Sequence, residues 1–205
     1  LAQSAEEDRS RGIELREARR GDELAVAELH VRSWQEAYRE LMPAAFLDAL
    51  DPRDRAGRYT FESDEPGTPT TVLAVAGEEG AEGDPSLTNR GEVRSGSPSA
   101  PFGRIAGFVT FGESRDADAR GLGEVYALYV DPECHRGGVG RLLMGEARRR
   151  LRDAGFTEAI LWVLQGNERA ASFYEREGWI PDGATREEQP YDIVSNVRRF
   201  RRPLP

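Results

Sequence analysis

The sequence predicts an α/β domain with one mixed central sheet flanked by helices, its elements running β-α-α-β-β-β-α-β-α-β-β. Three observations predict it. Short alternating or apolar runs recur between stretches whose apolar residues fall at i, i+3, i+4 and i+7, the signatures of strand and helix. A glycine-rich run, Val130-Asp131-Pro132-Glu133-Cys134-His135-Arg136-Gly137-Gly138-Val139-Gly140-Arg141, sits where a strand-like segment gives way to a helix-like one. The chain of 205 residues is of a size for one domain with a full core.

Ile13 to Ala18 alternates apolar and polar residues and reads as a first strand. Gly21-Asp22 starts a helix with Leu24, Ala27, Val31, Trp34 and Tyr38 on one stripe, ended by Pro43. Ala44 to Leu50 reads as a second, short helix before Asp51-Pro52. Thr70 to Ala76 is a strand, and Ile105 to Phe111 is the next, paired antiparallel with it. Between them, 77–101 is rich in Gly, Ser, Glu and Pro with almost no large apolar residue, which predicts a disordered insertion. Glu124 to Val130 is a strand. The helix after it runs from Arg141 to Ala154, turns Leu142, Leu143, Ala147 and Leu151 inward, and stops at Gly155. Ala159 to Leu164 is a strand. Asn167 then caps a helix that Gly178 ends, with Ala170, Phe173, Tyr174 and Glu177 on one stripe. Ile180 and Val194 to Phe200 supply the last strands. The charged stretch 1–12 is expected to be a disordered tail, so 13–205 is the domain.

Composition excludes several function classes. No apolar run approaches the ~20 residues of a membrane span, and no signal peptide is visible. The single cysteine, Cys134, excludes an internal disulfide and fits a reducing cytoplasm. A net charge of −9 argues against nucleic-acid binding and mildly favours a cationic substrate. All 28 basic residues are arginine, so the chain has no lysine of its own to acetylate. His30 and His135 are too few and too far apart in sequence for a metal site, and no metal is expected.

The glycine run carries the chemistry. Backbone free of side chains approaches a ligand closely, and consecutive N–H groups converge on one point. The helix that follows adds unpaired N–H groups and the positive end of its dipole. The result is an anion cradle suited to a pyrophosphate. A Walker loop would end in Gly-Lys-Ser/Thr, and a dinucleotide fingerprint would place a third glycine where Leu143 stands.

His135-Arg136-Gly137-Gly138-Val139-Gly140 after a strand ending Val130-Asp131-Pro132 resembles motif A of the GNAT N-acetyltransferase superfamily, with His135 where Gln or Arg is usual. Asn167-Glu168-Arg169-Ala170-Ala171-Ser172-Phe173-Tyr174-Glu175-Arg176-Glu177-Gly178-Trp179 is similar to the family's motif B. The likeness is specific from Glu124 to Trp179. It implies a sheet with a splayed parallel strand pair, and acetyl-coenzyme A as donor. It also implies direct acetyl transfer to a primary amine of a small molecule, protein or peptide. The alternative is a non-catalytic acetyl-coenzyme A sensor or scaffold.

The likeness also assigns roles. Leu128, Tyr129 and Val130 would pair with the pantetheine arm as an added strand. His135, Arg136, Gly137, Gly138, Val139, Gly140 and Arg141 would hold the phosphates, and Asn167 would cap its helix and touch the cofactor. Tyr174 would stand beside the sulfur and return a proton to the leaving thiolate. Glu124, expected on one face with Tyr126, Leu128 and Val130, would take the amine's proton. A lysine-like amine, with pKa ~10.4, is neutral in roughly one molecule in 2,500 at pH 7, so a base helps. Trp34, Tyr38, Phe46 and Tyr126 are candidate walls of the acceptor pocket. Glu36, Glu40 or Asp48 would attract an amine. Cys134 is not expected to be a nucleophile, because its neighbour His135 points away from it on an extended loop. His30 is expected on the helix surface. The partner is the acceptor amine, with no nucleic acid or membrane, and the protein is a monomer or homodimer.

Overall fold

The computed structural model describes residues 12–63, 65, 67–77, 104–189 and 193–205. Apart from their last and first residues, the predicted tail at 1–12 and insertion at 77–101 lie outside the described residues. The strands are β1 (Ile13–Glu17), β2 (Thr70–Ala76), β3 (Arg104–Glu113), β4 (Gly123–Val130), β5 (Glu158–Leu164), β6 (Ile180–Glu188) and β7 (Ser195–Pro203). The helices are α1 (Glu23–Ala37), α2 (Ala44–Asp48), α3 (Pro52–Ala56), α4 (Val139–Asp153) and α5 (Glu168–Arg176), with a 3-10 turn at Pro132–Cys134. The described strands form one sheet in the order β1-β2-β3-β4-β5-β7-β6. All its pairs are antiparallel except β4 with β5, which are parallel.

Apolar residues on the two faces of the sheet make two cores. On one face, Leu143, Met144, Ala147 and Leu151 of α4 pack on Val109, Phe111, Val125 and Leu161. On the other, Val26 and Leu29 of α1 pack on Leu73, Val75, Ile105 and Phe108. Alternation along β3 feeds both, since Phe108 enters one core and Val109 the other. The helical faces differ in detail from the sequence reading. Leu24 is exposed, and Leu142 yields its inward place to Met144. Helix α1 ends at Ala37, so Tyr38 is its C-cap and lies outside it, well before Pro43. A third helix, α3, starts where Asp51 caps Arg53 N with Pro52 in the first turn, a start signal the sequence reading passed over.

His30 is not on the surface. It is 4% exposed in α1, with Nδ1 2.6 Å from the Tyr59 hydroxyl and its ring centre 4.4 Å from that of Tyr129. Burial first, then the nearby Arg55 charge, holds its pKa well below the usual range, so it is a neutral member of an aromatic cluster.

A bulge in β4 corrects a second expectation. Val125 is opposite Phe111 and Ala127 opposite Thr110, so Tyr126 is the extra residue. The bulge breaks the alternation on which the expected face rests. Beyond it, Leu128 and Val130 pack with the α4-side core, while Ala127 and Tyr129 pack on the α1 side. Leu128 and Val130 therefore share their face with Val125, not with Glu124.

Gly107 sets how closely α4 lies on the sheet. A Cβ there would come within 2.9 Å of the Tyr129 carbonyl oxygen, 3.0 Å of Leu143 and 3.1 Å of Val139. Gly107→Ala is expected to destabilise the fold by about 1–3 kcal/mol through overpacking. A melting curve should show it as a drop of roughly 2–4 °C per kcal/mol. An unchanged melting temperature would show that α4 has room to shift.

Candidate functional site

Strands β4 and β5 stay paired only from Gly123–Ala159 to Val125–Leu161 and then part. The Asp131 amide donates to the Ala106 carbonyl on the β3 side at 2.9 Å. Alternate residues face alternate ways, so the backbone groups of Leu128 and Val130 point toward β5, where the ladder offers them no partner. A cavity of about 920 Å³ occupies this gap. It runs from the glycine loop, past Leu128 to Val130, to α1 and the β5–α5 junction.

The loop is shaped for anions. Arg136 and Gly138 both have left-handed backbone, φ 64° and 78°, and Gly138 is the N-cap of α4. Alternating hand turns successive N–H groups into one concavity, and the dipole of α4 adds positive potential. Left-handed φ at an arginine costs energy that the fold must supply, a feature concentrated at binding sites. His135, Arg136, Gly138, Val139, Gly140 and Arg141 line the cavity; Gly137 does not. Arg169 and Arg176 of α5 add positive charge to the wall. The diphosphate of coenzyme A fits this end, and its pantetheine amides fit the polar edge of Leu128 and Val130.

Arg141 is turned to a protein partner. Its Nε donates to Glu177 at 3.0 Å, and Glu177, 8% exposed, also pairs with Arg148 at 3.5 Å. Asn167 accepts the Ala170 amide at 3.1 Å, which caps α5, and it also lines the cavity. Tyr174 lies on the same wall, two residues before the end of α5, beside Phe173, Trp179 and Phe200. Burial, with a smaller push from Tyr129, raises its pKa well above that of a free phenol. The hydroxyl therefore keeps its proton through the neutral range.

Glu124 is 6% exposed and lies behind the cavity wall, which takes in its neighbours Val125 and Tyr126. Its Oε2 accepts from the Ser114 hydroxyl and the Arg115 amide, each at 3.1 Å. Burial is the largest influence on this carboxyl and raises its pKa, against the pull of those two hydrogen bonds. Tyr126 reaches the cavity, but its hydroxyl is tied to the Glu113 carbonyl.

On the acceptor side, Tyr38 and Tyr129 are wall residues. Burial pushes the Tyr38 phenol up to about 12, with Tyr129 and Asn167 as hydrogen-bond partners that pull it down. Trp34 is not on the wall. It lies beneath, 9% exposed, and its Nε1 donates to the Tyr129 hydroxyl at 2.8 Å. Phe46 packs with it in the same cluster. Asp48 is paired with Arg39 at 2.8 Å, away from the wall. Glu36 is on the wall; Glu40 is not. Cys134 lines the cavity, and burial raises its pKa, which disfavours a thiolate.

Sequence reasoning missed Trp162, Ser33, Arg169 and Glu177. Trp162 forms part of the wall from β5, with Nε1 donating to Asp116 at 2.9 Å and Arg186 stacked 4.0 Å over its ring. Its place inside a strand read only as core. Ser33 donates to the Val130 carbonyl at 3.3 Å, from a helix position with no sequence signal. Arg169 and Glu177 lay inside the motif B segment without an assigned role.

The Acetyltransferase (GNAT) family profile matches residues 90–179. The match covers under half of the chain and takes in the glycine loop, α4 and α5, over which the chain is similar to the GNAT acetyltransferases. The chain is accordingly an N-acetyltransferase, with acetyl-coenzyme A as its donor. It is 27% identical over 155 residues to the N-acetyltransferase YuaI of Bacillus subtilis, covering 76% of this chain and 73% of YuaI. It is 41% identical over 81 residues to the mycothiol acetyltransferase of Salinispora tropica, covering 38% of this chain but 26% of that longer protein. The PaiA N-acetyltransferase of Thermoplasma acidophilum, solved with coenzyme A, superposes with a TM-score of 0.59 at 16% identity, over 91% of this chain and 97% of that one. Its likeness is one of fold. Among the described residues, no helix is long and apolar enough to cross a membrane.

Gly138→Asp tests the cradle. Aspartate tolerates left-handed backbone better than most residues, so the fold should survive while a negative charge enters the anion site. Calorimetry should show acetyl-coenzyme A affinity lost or reduced more than tenfold. Retained affinity would place the diphosphate elsewhere.

Proposed function

We propose that this protein moves the acetyl group directly from acetyl-coenzyme A to a primary amine of a small molecule or peptide. The observation that carries the reading is the arrangement along the β4–β5 gap. The anion loop lies at one end, the backbone edge of Leu128 and Val130, unpaired with β5, lies in the middle, and the Tyr174 phenol stands on the wall. A thioester held along that edge is fixed for attack, and fixing the partners removes much of the entropic barrier.

In the proposed reaction the amine nitrogen attacks the thioester carbon, the N–C bond forms, and the C–S bond breaks. Glu124 takes the proton of the ammonium group through a water molecule, since its side chain does not itself line the cavity, as its neighbours Val125 and Tyr126 do. Its raised pKa makes it a better base than an exposed glutamate. Tyr174 gives its proton to the departing sulfur. Tyr38, Tyr129, Tyr126 and Trp162 wall the acceptor end. The net charge of −9 favours a cationic acceptor over an anionic one. We take the protein to act as a cytoplasmic monomer or homodimer, without nucleic acid.

Thiol release from acetyl-coenzyme A over an amine panel tests the activity. Amine-dependent release supports the reading; tight donor binding without release from any amine favours a sensor. Tyr174→Phe should keep donor affinity and lose about 10²–10⁴ in rate. Unchanged turnover would remove its role as the acid.

The pH profile tests Glu124. Its folded pKa is raised, and the base acts as the carboxylate, so activity is lost as pH falls through that raised value. The rate should therefore rise with pH through an ionisation above the ordinary glutamate range. Glu124→Gln should remove that limb and lower kcat/KM by roughly 10²-fold or more. The same limb in the variant would assign it to the acceptor amine.

A further inference from the structure

The histidine that replaces the usual first residue of motif A has two acceptors and no donor against its ring. His135 Nε2 is 3.1 Å from the Val130 carbonyl oxygen, and Nδ1 is 3.4 Å from Glu36 Oε1. A neutral imidazole carries one N–H. It can satisfy one of these acceptors and must turn a lone pair to the other. An imidazolium donates to the carbonyl and sets its charge against the carboxylate. Glu36 stands in α1 and is also held by Arg169 of α5 at 3.1 Å. The three side chains thus bridge the acceptor-side helix, the anion loop and the motif B helix around the cavity they line.

The charges facing the ring come from each of these elements. Half-burial has the largest effect and disfavours the proton, as does Arg169 of α5. Glu36 of α1, the Val130 carbonyl at the end of β4 and Asp131 in the turn favour it. The outcome is a group held below its ordinary range, in a geometry made for its charged form. The next residues of the loop are the anion cradle, so a seated diphosphate adds negative charge beside the ring and shifts this balance toward protonation.

We infer that His135 is a positioning residue that takes up a proton when the donor's diphosphate enters the cradle, and that the imidazolium then ties the end of β4 to Glu36 of α1. The inference rests on reading the loop as the diphosphate site. Its consequence is an ordered assembly. Glu36, Ala37 and Tyr38 are consecutive wall residues. Anchoring Glu36 therefore firms the acceptor wall once the donor is in place. Reciprocity of linked binding requires donor affinity to rise as pH falls through this ionisation.

The chain has two histidines, and His30 is buried, so the imidazole NMR signals of tag-free protein are assigned with a single substitution. Titration with and without coenzyme A should show the His135 ionisation moving up by about one pH unit or more, which is tenfold in proton affinity. Calorimetry of coenzyme A binding near neutral pH, in two buffers of different ionisation heat, should show proton uptake. That uptake should vanish in His135→Gln and diminish in Glu36→Gln, while both variants still bind. Comparison with the variants cancels ionisation of the ligand's own phosphates. A His135 ionisation that stays fixed while the ligand shifts other resonances overturns the inference and leaves the cradle standing. Equal uptake in wild type and His135→Gln does the same. No response of any resonance to coenzyme A overturns the cradle and the inference together.

Discussion

The parting of β4 from β5 is the constraint on which the rest of the structure depends. Two parallel strands in mid-sheet would ordinarily pair along their length, because an unmade backbone hydrogen bond in a buried place costs about 1–3 kcal/mol. Here pairing stops after Val125–Leu161. Each strand is instead secured on its far side. β4 pairs with β3 as far as Val130–Gly107, and β5 pairs with β7 as far as Leu164–Val197. The bulge at Tyr126 falls where the parallel pairing ends, and a bulge increases local twist, which turns β4 away. The polar edge of Leu128 and Val130 is then held open by its neighbours on both sides. An amide-bearing ligand laid along it completes the sheet.

The acceptor side of that opening is built from neutral polar aromatics. Trp34 donates to Tyr129, His30 is bonded to Tyr59, and burial keeps the Tyr129 and Tyr38 phenols protonated and His30 uncharged. Around Trp162 and Tyr126 the charges are kept one layer out, while Glu36 on the wall is paired with Arg169. Asp116 takes the Trp162 indole and pairs with Arg186 and Arg199, and Glu124 lies nearby, bonded to Ser114. This aromatic part of the wall fixes ring orientation through hydrogen bonds without adding a bare charge of its own. A carboxylate behind it can act through water and keep a raised pKa.

Much of this was legible in the sequence, and the failures have physical causes. The limits of β2, the glycine loop between β4 and α4, and the capped start of α5 all rest on local signals: periodicity, glycine and an Asn cap. The face of Glu124 was misread because strict alternation fails at a bulge, and a bulge depends on two strands rather than one. His30 was misplaced because a polar residue on a helix stripe becomes core when partners such as Tyr59 and Tyr129 come from far away in sequence. Trp34 was a candidate wall and Trp162 was not. Both are tryptophans in amphipathic elements, and only tertiary packing decides which one stands in front. The pairing of Arg141 with Glu177 was not legible either, because nothing local signals a partner 36 residues away.

That last pair bears on how the two halves of the site keep their spacing. Glu177 is a buried carboxylate, and a buried charge is tolerable when opposite charges and hydrogen bonds surround it. Arg141 and Arg148, two turns of α4, close on it from one side. The Arg148 guanidinium also donates to the Glu177 backbone carbonyl. Breaking this cluster from one partner would leave an uncompensated charge, so the joint is costly to loosen. It locks the first turns of α4, which form the cradle, to the end of α5, which carries Tyr174 three residues earlier. The distance from the glycine loop to the Tyr174 phenol is then set by two helices clamped together and not by a loop. In the proposed reaction, that rigidity is what a proton donor at Tyr174 needs if it is to meet a sulfur atom at the far end of a flexible pantetheine arm.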